Sequence, residues 1–125
     1  MTADQTAVAN IVTLFFDGTN PDVNAKVAIL ENGEKYRTML AAAAKDPQAS
    51  TLTTKVTGVT ILDAAGCQAA GVASPCARVN HDLFTGDFPA LAGQVSYVIK
   101  VNGKWIVAAK SWCALAAIGG ASCPA

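Results

Sequence analysis

Neither sign of charge predominates in this sequence: nine Lys and Arg residues balance nine Asp and Glu, for a formal net charge of zero. A nucleic-acid partner is therefore not expected, because phosphate binding needs a basic stripe. Although 52% of the residues are hydrophobic, many are alanine, and no uninterrupted apolar run approaches the ~20 residues of a transmembrane helix. Nucleophile-elbow, P-loop, dinucleotide-binding and zincin motifs are all missing. The absence of C-x-x-C excludes a thioredoxin-like redox centre. Met1 to Gln5 offer no basic n-region, apolar h-region or cleavage site.

What the chain does contain is four cysteines, Cys67, Cys76, Cys113 and Cys123, in two close pairs. Structural zinc sites space paired cysteines about two to four residues apart, far closer than either pair here, so no metal is expected. Adjacent pairing, Cys67 with Cys76 and Cys113 with Cys123, is favoured because Gln68 to Pro75 contains Gly and Pro and can fold back between strands. In the chain-entropy account each such closure contributes about 2 to 3 kcal/mol. Disulfides persist in oxidising compartments. The expectation is a secreted or cell-envelope protein in its mature form, after signal removal.

The apolar period changes once along the chain. Val8, Ile11, Val12 and Phe15 recur at helical spacing, with Thr2 and Gln5 as a capping box and Gly18 as a left-handed stop. Asn20-Pro21 predicts a second helix with Asn20 as N-cap, running to about Glu31. Tyr36, Met39, Leu40 and Ala43 form the inner stripe of a third, ended by Asp46-Pro47. From Thr51 onward β-branched residues dominate. Strands are predicted over Thr51 to Asp63, with a bulge at Gly58, and over Cys76 to Phe84. Two more, Gln94 to Val101 and Lys104 to Trp112, are joined by Asn102-Gly103, the dipeptide of a type I′ turn. The result is a single α+β domain over 1–125, with three N-terminal helices packed on a curved, mostly antiparallel four-stranded sheet.

Several segments carry a resemblance. Leu14-Phe15-Phe16-Asp17-Gly18, Pro21, Leu30-Glu31-Asn32-Gly33, Val56-Thr57-Gly58-Val59 and Gly103-Lys104-Trp105-Ile106-Val107 followed by Cys113 resemble the mycobacterial low-molecular-weight secreted antigen and lipoprotein family. The match extends from about Val8 to Pro124. The order of elements also looks like the cystatin-type, nuclear-transport-factor-two-like superfamily, in which a curled sheet and helices form a cone. The resemblance implies an exported actinobacterial protein and a cone-shaped fold, and supplies no established activity.

No residue cluster amounts to a catalytic signature, so no catalytic residue and no cofactor is assigned. The inward candidates for a ligand cavity are Phe16, Tyr36, Met39, His81 and Tyr97, taken from the helical stripes and from strand alternation. His81 shares a face with Val79 and Leu83, and Tyr97 sits among Val95, Ile99 and Val101. Trp105 and Trp112 fall on opposite faces of one predicted strand, so that one fills the core and the other is either covered by the C-terminal tail or exposed as an anchor for a protein partner. The functional expectation is a non-catalytic module that binds an apolar small molecule or an envelope protein. The alternative is a ketosteroid-isomerase-like isomerase or dehydratase acting inside the cone, by analogy with superfamily members.

Overall fold

The structure is a computed structural model that describes all residues 1–125. Helix α1, Ala3–Phe15, begins with the expected capping box: the Thr2 hydroxyl accepts from Gln5 N–H, and the Gln5 side chain accepts from Thr2 N–H. Its Val8, Val12 and Phe15 are buried. It ends at Phe16, two residues before Gly18. Gly18 serves a close approach rather than a left-handed turn: its N–H donates to Leu52 O at 2.7 Å, and a Cβ there would stand 2.0 Å from Ala49 O.

Helix α2 covers only Val23–Ala28 and is capped by Asp22, whose carboxylate accepts from Ala25 N–H. Asn20 instead accepts from Asp22 N–H, setting up the turn that precedes the cap. The expected extension to Glu31 fails because Leu30 leaves the helix and bridges Val107 in parallel. Helix α3, Arg37–Lys45, follows a 3-10 turn and stops at Asp46 as expected.

Four strands form one antiparallel sheet in the order β1-β2-β3-β4: β1 Leu52–Leu62, β2 Cys76–Thr85, β3 Phe88–Val101 and β4 Lys104–Val107. The β1/β2 register shifts between Val56 and Gly58, placing the bulge where the sequence phase changes. Asn102 and Gly103 both have positive φ, 51° and 78°, as the tight β3–β4 turn requires.

Two helices replace expected loop or strand. Asp63 caps α4, Ala64–Ala70, and Gly71 closes it at φ 73°, so the Cys67–Cys76 disulfide ties a helix, not a loop, to the start of β2. The predicted fourth strand ends at Val107, and Ala109–Ile118 is helix α5. Glu31 Oε1 accepts from Ala109 N–H and anchors the start of α5, while the Cys113–Cys123 disulfide folds the tail back against it.

The sheet separates two clusters. Val8, Val12, Phe15, Phe16, Leu40, Val79, Leu83, Val98 and Val107 form the main core with the helices. Cys67, Cys76, Ile99 and Ala108 form a smaller one on the other face, with Tyr97 packed against it.

Candidate functional site

One end of the main core is not filled by side chains. A cavity of about 890 Å³ is bounded by the end of α1, by α3, by residues 46–52, by β2 and β3, and by α5 with the tail. Of its 26 lining residues 17 are hydrophobic, so the wall is built for an apolar occupant. Phe15, Phe16, Met39, Leu40, Leu83, Leu91, Trp112, Leu115 and Ile118 supply the bulk of it. Its aromatic corner is ordered by edge contacts: Phe15 meets Phe16 at 5.0 Å and 88°, and Trp112 at 5.7 Å and 84°.

The expected cavity residues do not all converge. Phe16 and Met39 line the cavity. Tyr36 is buried in the main core and lies outside that lining. Tyr97 points to the opposite sheet face, because it pairs with Arg78 in register while the inward residues are Ser96 and Val98. There Lys110 Nζ sits 5.7 Å from the Tyr97 ring. His81 is inward and 1% exposed but lies behind Phe16, whose ring stacks on it at 5.1 Å and 28°.

His81 is fully engaged. Nδ1 is 2.8 Å from Thr54 Oγ1, which itself donates to the carbonyl of Asp82 at 3.1 Å. A hydroxyl has one hydrogen, so Nδ1–H is the donor to Thr54. Burial pushes the imidazole pKa down, more than the nearby Asp82 charge raises it. In this neutral form Nε2 accepts from Ser96 Oγ at 2.8 Å. His81 is not among the residues that line the cavity, and no group of three or more His, Cys, Asp or Glu residues is arranged to hold a metal ion.

Neither tryptophan is an exposed anchor. Trp105 is 8% exposed, and its indole N–H donates to Asp4 Oδ1 at 3.1 Å. Trp112 stands on α5 rather than on a strand, and lines the cavity. Its Nε1 is the one buried side-chain nitrogen or oxygen without a hydrogen-bond partner.

Sequence reasoning missed Lys26, Leu83, Leu91 and the α5 wall. Little periodic contrast marks α5, which is apolar on most sides. Lys26 and Asp46 are the charged residues of the lining. Asp46 is exposed, and its Oδ1 accepts from Gln48 and Ala49 N–H at 2.8 and 3.1 Å. Lys26 is half-buried, and its Nζ donates to the Asp17 carbonyl at 2.7 Å.

An α+β domain with a disulfide-tied C-terminal segment closing an apolar cavity is the class that these features define. The chain belongs to the family described as low molecular weight antigen MTB12, C-terminal domain, which it matches over residues 2–123. A search of curated proteins found no match.

Proposed function

We propose that this domain is an exported, non-catalytic module of the cell envelope or the secreted fraction, and that it holds an apolar small molecule in the cavity between α3, the sheet and α5. The observation that carries this reading is the cavity itself: about 890 Å³ of apolar-walled space in a chain of 125 residues. The space is open to solvent on one side, and its volume and apolar lining fall in the range of small-molecule sites. Two disulfides and membership of an antigen family support export.

An isomerase or dehydratase in the same space needs a positioned acid or base. His81 is buried behind Phe16 and outside the cavity lining, and the carboxylate in the lining, Asp46, is exposed and caps a turn. A protein-partner reading built on an exposed tryptophan lacks its anchor, since both indoles are packed. Native mass spectrometry of protein purified from its source tests the proposal. A stoichiometric small-molecule adduct that leaves on denaturation is expected; protein at its bare covalent mass would contradict it.

A further inference from the structure

The two charged residues of the cavity wall differ in what surrounds them. Asp46 is exposed and hydrogen-bonded to its own turn. Lys26 is drawn partly out of water, yet its Nζ has one acceptor, the Asp17 carbonyl. The two ion pairs of the molecule are Arg37–Glu34 and Lys100–Asp4, so no carboxylate pairs with Lys26. Burial depresses its pKa, more than the charge of Asp17 restores it. The Asp17 carboxylate is itself engaged by the N–H and hydroxyl of Thr19.

An ammonium has three donors, and a half-desolvated one with a single neutral acceptor is stabilised by an anion that arrives with further acceptor oxygens. Lys26 Nζ is thus a charged donor, with one neutral acceptor, in a wall of mostly apolar side chains.

Resting on the reading of the cavity as a binding site, we infer that its occupant is a single-chain anionic amphiphile of the fatty-carboxylate type, whose alkyl chain fills the apolar space and whose head group is held by Lys26 Nζ. A neutral chain of the same length fills the same space but leaves the ammonium as it stands. Lys26 is therefore the residue that sets head-group preference, and the apolar wall sets affinity for the chain.

Displacement of the neutral dye Nile red at pH 7.5 by hexadecanoate and by hexadecanol, each below its aggregation limit, tests the inference. In the wild type the acid should displace the dye at about tenfold lower concentration than the alcohol, the scale of one charge-assisted hydrogen bond. Lys26→Met should bring the two within about twofold of each other, and Lys26→Arg should keep the acid preference, with thermal melts confirming folded protein. Equal displacement in the wild type, or an acid preference that survives Lys26→Met, overturns the inference while leaving the cavity reading intact. Failure of Nile red and of both chains to bind the wild type overturns the two together. Should Lys26→Met not fold, the wild-type ratio decides alone.

Discussion

The Phe16 ring stacks on His81, centroids 5.1 Å apart and planes inclined by 28°, so that the phenyl group covers a buried imidazole while the side chain also lines the cavity. This contact sets the only histidine of the chain behind the cavity lining, with its edge nitrogens bonded to Thr54 and Ser96. It also makes the imidazole a reporter of core integrity.

The depressed pKa of His81 has a definite sign in stability. The unfolded chain protonates near the ordinary value of 6.5, whereas the folded chain resists protonation to lower pH. Stability is full above about pH 6.5 and falls as the pH drops from there toward the folded-state pKa, because the unfolded state binds the extra proton. The melting temperature should therefore decline between pH 7 and pH 5. His81→Gln should flatten that slope while lowering the melt at pH 7; an unchanged slope would mean that the imidazole is not buried neutral.

The β3–β4 turn isolates backbone conformation from packing. Gly103 has φ 78°, and a Cβ there meets nothing within 4 Å. Gly103→Val should nonetheless lower stability by more than about 1 kcal/mol in urea denaturation, since a β-branched residue resists positive φ. A midpoint equal to wild type would contradict the type I′ turn.

Gly18 presents the opposite case, where space decides. Its Cβ would collide with Ala49 O, and Ala49, Thr51 and Leu52 form part of the cavity wall. Gly18→Ala should destabilise by about 1 to 3 kcal/mol, in the range of overpacking, and should also weaken apolar-dye binding by displacing that wall. Chemical denaturation and a Nile red titration on the same sample read both effects.

The two disulfides should separate functionally. Cys113–Cys123 holds the tail, whose Ala121 and Ser122 line the cavity, against α5; Cys67–Cys76 fastens α4 near the other cluster. Removing either pair as a double Cys→Ser variant should cost about 2 to 3 kcal/mol. Loss of Cys113–Cys123 alone should weaken Nile red binding. Equal binding in both variants would show that the tail does not complete the wall.

Much of the frame was legible because the signals were local and chemically specific. Thr2 with Gln5, the phase change at Gly58, Asn102-Gly103 and the cysteine spacings each name a short structure, and each is present. The two unforeseen helices share a cause. The α4 segment is alanine-rich, and α5 is apolar on most sides, so neither shows the contrast between faces that marks a helix by period. Asp63 as N-cap and Gly71 as terminator were signals for α4 hidden by its reading as a stapled loop. Tyr97 was misassigned because alternation within a strand shows which residues share a face, not which face is inward; that depends on register with β2. The cavity was only partly foreseeable, since Phe16 and Met39 meet Leu83 and Trp112 through tertiary packing.

Filling the cavity is the most direct test of the account. Ala43 lines it from α3, and Ala43→Phe would occupy space that the proposed ligand needs. Wild-type protein should bind Nile red saturably at one site, and Ala43→Phe should bind it at least about tenfold more weakly, a loss of about 1.4 kcal/mol or more, with its thermal melt unchanged or raised. Wild-type protein that binds no apolar probe, or a folded Ala43→Phe variant that binds as well as wild type, would contradict the claim that this space is a binding site.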